Sequence, residues 1–137
     1  MAPRRIALLY VVTSLAFFSI DLVWLGVVAR DFYREQLGHL LADEVGWGAA
    51  IAFYLLYIGG ILYFCVLPAL REGSLGRAVR HGALFGLIAY STYDLTNLAT
   101  LRGFPPAVVA VDLAWGTLLT GATSAIGFLA ARRLARK

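Results

Sequence analysis

The stretch SIDLVWLG, residues 19–26, lies within an apolar run that starts near Ile6 and ends at Ala29. The run matches the ~20 apolar residues a helix needs to cross a bilayer, yet it contains an aspartate. The same phrase returns as TYDLTNLA at 92–99 and AVDLAWGT at 110–117, each again inside an apolar segment. Asp21, Asp94 and Asp112 therefore pose the central question of this chain, because a carboxylate in lipid costs several kcal/mol unless something offsets it.

Composition supports a membrane setting. The 137 residues are 61% hydrophobic, with a mean hydropathy of +0.77. A soluble domain of this size has too much surface relative to its volume to hide so many apolar side chains. Four stretches are long enough to span, residues 6–29, 47–70, 78–101 and 105–131. Together they predict an all-α fold, a single four-helix transmembrane domain over 1–137 arranged as an antiparallel bundle. Pro68 and REGSLGR (71–77) read as the end of the second span. RGFPP (102–106) reads as a tight turn with its prolines in the first turn of the last helix, where a missing N–H costs little. The segment MAPRRIALLYVVTSLAFF resembles a secretory leader, but its apolar region is long and cleavage would discard Asp21 and Trp24, so it is read as a retained span.

Basic residues set the expected orientation. Arg4, Arg5, Arg71, Arg77, Arg80, Arg132, Arg133, Arg136 and Lys137 fall on one side, and Arg30, Arg34 and Arg102 on the other. Nine against three places both termini in the cytoplasm. The bases cluster at span ends and form no groove-sized patch, which argues against a nucleic-acid partner. The bilayer itself is the expected partner. Phe32, Tyr33, Leu37, Leu40, Leu41 and Val45 recur near helical spacing among charged residues, predicting an amphipathic surface helix within about residues 31–44.

With these spans, Asp21, Asp94 and Asp112 all lie about 10–12 Å below the outer helix ends, at 1.5 Å rise per residue. Tyr54 reaches the same level, with Tyr57 one turn below. Trp24 and Trp115 follow an aspartate at i+3, as Asn97 follows Asp94, which places each pair on one helix face. Tyr90 and Tyr93 flank Asp94. The candidate ligand- or proton-binding set is thus Asp21, Asp94, Asp112, Asn97, Trp24, Trp115, Tyr54, Tyr57, Tyr90 and Tyr93, with Arg102 as the available charge partner. Three acids cannot all be charged and dry: a proton, water, a bound cation or Arg102 must compensate. No metal site is expected, since His39 and His81 are too few and too far apart, and Cys65 in its apolar run reads as packing. The glycines of GALFG (82–86), the Gly116–Thr120–Ser124 series and Gly59–Gly60 read as close helix contacts.

FYREQLGHLLADEVGW (32–47), FYLLYIGG (53–60), YDLTNLATLRGFP (93–105) and VDLAWG (111–116), in this order, resemble a family of small bacterial four-helix integral membrane proteins catalogued as a domain of unknown function. The resemblance implies four helices and residence in the bacterial inner membrane, and it lends no activity and no cofactor. Three functions fit the residues. One is binding or proton-coupled transport of a cation or small organic cation, with Trp and Tyr faces offering cation–π contacts. A subunit this small favours a homodimer for such a pathway. The second is an intramembrane enzyme in which a protonated aspartate acts as general acid on a lipid or isoprenoid. The third is a structural or accessory protein whose acids hold helices in register.

Overall fold

The computed structural model describes residues 1–136, and every described element is helical. Helix α1 runs over Pro3–Val28, α2 over Arg30–Leu37, α3 over Trp47–Glu72, α4 over Leu75–Thr100 and α5 over Pro106–Ala135. Lys137, counted above among the basic residues after the last span, lies outside the described residues.

Burial is inverted relative to a soluble protein. Leu15, Leu22, Val27, Leu56 and Leu118 are well exposed, while Asp21, Asp94, Asp112, Thr13, Thr120, Thr123 and Ser124 are buried. Only a hydrocarbon solvent makes that arrangement favourable, since in lipid it is the polar groups that must find partners inside. Three helices, α1, α3 and α5, are both long and apolar enough to cross a membrane. At 26 residues α4 has the length, but Arg77, Arg80, His81 and the polar run 90–97 dilute its apolar character.

Local chemistry explains the boundaries. Gly73 closes α3 at a φ of +66°, a conformation glycine adopts at no steric cost, and the Ser74 hydroxyl caps α4 by accepting from the Arg77 N–H at 3.1 Å. Glu72 and Arg77 form an ion pair across this turn. Pro106 opens α5 where its missing N–H costs nothing. The second span ends within REGSLGR, two residues past the expected Leu70, and Pro68 lies inside the helix. The helix widens to a π-helical segment over Ile61–Val66, in which the Leu67 N–H reaches back to the Leu62 carbonyl, and the chain stays helical through Pro68 to Glu72. The wider turn accommodates a ring that would clash with the carbonyl four residues back.

A second π-helical turn, Trp24–Val28, finishes α1, and the chain bends at Ala29 into α2. The surface helix is shorter than expected. It stops at Leu37, and the chain from 41 to 46 is irregular despite Leu40, Leu41 and Val45. Leu37 tucks against Phe104, Val108 and Val109, so α2 lies over the start of α5. The His39 ring nitrogen at 3.1 Å from the Gly103 carbonyl ties this segment to the α4–α5 turn.

The central core joins Leu9 and Phe17 of α1, Tyr57, Ile58, Ile61, Leu62 and Val66 of α3, and Leu119 and Ala131 of α5. Helices α4 and α5 make the closest pair. Gly82 packs on Ser124, Gly86 on Gly116 and Thr120, and the Tyr90 ring lies over Gly116. Here the glycines have a specific use, because a Cβ at Gly86 would overlap the carbonyl oxygen of Gly116. Gly60 meets the Phe85 ring, but Gly59 faces open space, so only the first of that pair serves a helix contact.

Candidate functional site

The three aspartates lie on α1, α4 and α5 at 5%, 0% and 8% exposure for Asp21, Asp94 and Asp112. Each sits on the inward stripe of its helix, and nothing local explains an acid there. Asp94 and Asp112 are neighbours across the α4–α5 contact. Asp112 accepts a 2.5 Å hydrogen bond from the Tyr33 phenol. Tyr33 in turn accepts from the Trp24 indole N–H at 3.3 Å. The Trp115 N–H donates to Asp21 Oδ1 at 3.1 Å. The two indoles stack at 4.3 Å between centroids and 9° between planes, a contact worth about 0.5–1.5 kcal/mol beyond burial. One continuous arrangement thus runs from Asp94 through Asp112, Tyr33 and Trp24 to Trp115 and Asp21.

This geometry refines the expectation of one slab. Asp21 meets Trp115, which is three residues, or about 4.5 Å, further along α5 than Asp112. The acids therefore form a facing pair and a single, bridged by the indoles. The tryptophans use their faces on each other and their N–H groups on Tyr33 and Asp21, so they do not form an open aromatic cage.

Neutralisation within the site is incomplete. Both Asp94 oxygens are buried and meet no donor. A carboxylate only accepts hydrogen bonds, so Asp94 and Asp112 can bond to one another only if one of the two holds a proton, which then donates to the other. Arg102 does not serve as the charge partner. It is exposed in the α4–α5 turn, and the only ion pair among the described residues is Arg77 with Glu72. Turn geometry points Arg102 outward because the helix ends one residue before Leu101, where the backbone becomes extended.

The remaining expected residues divide. Tyr54, half-buried, stands beside Asp21 on the wall of a cleft that both line. Tyr90 is half-buried over Gly116, next to the site. Tyr57 is not part of it: its hydroxyl bonds Thr120 Oγ1 at 2.7 Å and its ring stacks on Phe85, deeper in the bundle. Tyr93 is 55% exposed with its ring edge against Phe104, and Asn97 shares a face with Asp94 without bonding it.

Tyr33 is a residue of this candidate site that reading the sequence placed only on the surface helix. It belongs to the surface helix and reaches Asp112 across 79 residues of sequence, so no spacing rule on a single helix finds it. Burial, and then the Asp112 carboxyl it bonds, push its phenol above the ordinary tyrosine range, so it remains a neutral donor. No group of three or more His, Cys, Asp or Glu among the described residues is arranged to hold a metal ion.

No curated protein and no solved structure matches the chain. The family model described as "Predicted membrane protein (DUF2177)" matches residues 6–129, nearly the whole length, and the inverted burial of the helices agrees with that description. The chain therefore belongs to this family of membrane proteins.

Proposed function

We propose that the chain is a multi-pass protein of the bacterial inner membrane, a single four-helix domain whose site binds a cation or small organic cation in exchange for protons. Asp94 carries this reading. A fully buried carboxyl with no donor for either oxygen is completed by what the site takes up, a proton or a cation. A register plug would leave every acid partnered, as Asp21 and Asp112 are. The alternative of an intramembrane enzyme, with one acid protonating a lipid or isoprenoid, draws on the lateral cleft that reaches Asp21.

Four crossings are supported by α4 itself. Its polar residues lower its average hydropathy, but Asp94, Gly82 and Gly86 face α5 while Val79, Leu84, Ile88 and Leu95 are exposed. On α4 and α5, residue numbers fall on one helix as they rise on the other, from Gly82–Ser124 through Gly86–Gly116 to Asp94–Asp112, as in an antiparallel pair. The charge bias then places both termini in the cytoplasm. A Ser74→Cys chain should react with a membrane-impermeant thiol reagent only from the cytoplasmic side of oriented vesicles, and labelling from outside would contradict this topology. The bilayer is the partner, and a homodimer supplies a longer pathway than one small subunit.

The experiment for the site uses butylammonium as probe and calorimetry as readout. Removing the charge of Asp21, Asp94 or Asp112 by Asp→Asn should weaken binding about 10- to 100-fold, the worth of one charge-assisted hydrogen bond. Wild-type affinity in all three variants would refute the site.

A further inference from the structure

A cleft of about 600 Å³ runs between α1 and α3, lined among others by Phe18, Leu22, Ile51, Tyr54 and Leu55, with Asp21 in its wall. Its outer rim is Leu25, Val45 and Trp47, and its inner end is Tyr10 and Ile58. From Leu25 to Tyr10 is 15 residues, or about 22 Å of helix. That length is most of a hydrocarbon core about 30 Å thick. Leu22, Leu55 and Ile51 are each more than half exposed, so the cleft opens sideways, toward lipid.

Apart from Tyr54 beside Asp21 and Trp47 at the rim, its polar side chains sort into two kinds. The Tyr10 hydroxyl donates to the Leu55 carbonyl at 2.8 Å, and the Ser14 hydroxyl donates to the Tyr10 carbonyl at 2.8 Å, so both are satisfied by the protein. Asp21 uses Oδ1 on Trp115 and keeps a second oxygen for whatever enters. It lies four residues, or about 6 Å, below Leu25 at the rim. The cleft thus presents one acceptor of negative charge near its outer end and an apolar channel inward from it. Clefts elsewhere, against Leu8, Val12 and Ile126 or against Phe53, Phe64 and Phe85, contain no acid.

We propose that this cleft admits a single-chain cationic amphiphile from the bilayer, its protonated amine on Asp21 and its tail along α1 and α3 toward Tyr10 and Ile58. This rests on the cation reading of the acid site and names the substrate class. Charge complementarity selects the head: an anionic or zwitterionic lipid phosphate would meet the carboxylate, and an amine meets an acceptor with a free oxygen. The shape selects the tail, since a short hydrophilic cation would leave the apolar channel unused. Asp21 then receives the amine, and the Asp94–Asp112 pair beyond the indole stack provides the second station.

The test uses dodecylammonium carrying a diazirine on its last carbon, with the full chain in phosphatidylcholine nanodiscs and crosslinks mapped by mass spectrometry. The expected result is label concentrated on Ser14, Leu55 and Ile58. It should fall at least tenfold in Asp21→Asn, and also in Leu22→Trp and Ile51→Trp, which fill the cleft from opposite walls at exposed positions. Butylammonium, too short to use the inner channel, should be weakened far less by the two Trp variants than by Asp21→Asn. Label spread evenly over the lipid-facing residues of all helices, or a dodecanol carrying the same diazirine that labels the cleft equally well, would overturn the proposal. If butylammonium still binds in that case, the acid site stands and only the lateral route fails. If butylammonium does not bind the wild-type chain either, both readings fail together.

Discussion

Gly86→Leu should prevent α4 and α5 from closing, with a loss of about 3 kcal/mol or more, the upper end for overpacking a close-packed interface. A Cβ at Gly86 would already overlap the Gly116 carbonyl oxygen and come within 2.7 Å of Thr120 Cβ. The obstacle is backbone on the facing helix, which cannot rotate away as a side chain end could. Parting these helices also separates Asp94 from Asp112 and removes the Tyr90 ring from Gly116, so probe binding should fail with folding. Gly59→Ala provides the contrast. Nothing lies within 4 Å of a Cβ there, and an alanine in a helix interior is worth roughly 0.5–1 kcal/mol over glycine. Thermal unfolding in detergent, followed by circular dichroism, should show the first variant melting far below the wild type and the second at or above it. Equal melting temperatures for all three chains would mean that α4 and α5 do not pack as described.

Asp94→Asn should move stability and function in opposite directions. The wild-type carboxyl is fully buried and both oxygens lack a donor. Asparagine keeps the shape, cannot ionise, and brings an NH₂ that can donate to Asp112 without a bound proton. A buried group without a partner gains one, and the variant should be more stable by about 1–3 kcal/mol, the cost of leaving a buried polar group unsatisfied. Cation binding should fall at the same time, because an amide neither titrates nor supplies negative charge. Asp112→Asn is a useful companion, since its carboxyl accepts the Tyr33 bond and an amide can still accept through its oxygen. A thermal-shift series beside the butylammonium titration checks both. An Asp94→Asn chain that melts well below the wild type would show that the acid is a structural partner after all.

How much of this was legible in the sequence differs from residue to residue. Asp21, Asp94 and Asp112 stand out because a charge in an apolar run has no local purpose, and the structure does gather them. Their helix faces follow from spacing alone, which is why Trp24 and Trp115 entered the candidate set. The stacking of those two indoles does not follow from spacing, since it depends on how α1 and α5 lie against each other. Tyr33 was hidden for the same reason, as a residue of a short surface helix whose partner is remote in sequence. The end of the second span within REGSLGR was legible, but the π-helical turn that lets the helix run on through Pro68 was not, since it changes the backbone bonding and leaves no mark in spacing. Arg102 was nominated by its charge and its nearness in sequence, but the extended backbone at Leu101 carries it away from the acids. The third span was read from its length over residues 78–101, although its average hydropathy is lowered by polar residues, of which Asp94 is buried while Thr92, Tyr93 and Thr96 are exposed.

The claim that the acids form an exchanging site is tested most directly by counting protons. Butylammonium is titrated into the detergent-solubilised wild-type chain by calorimetry in two buffers of different ionisation enthalpy, at a pH where binding is half-suppressed by acid. Binding that displaces a proton must show a heat that depends on the buffer, since each proton released is taken up by buffer. The predicted result is release of a substantial fraction of a proton per cation, abolished in Asp94→Asn. Binding of undiminished strength with no buffer dependence, or the same proton release in Asp94→Asn as in the wild type, would contradict the account.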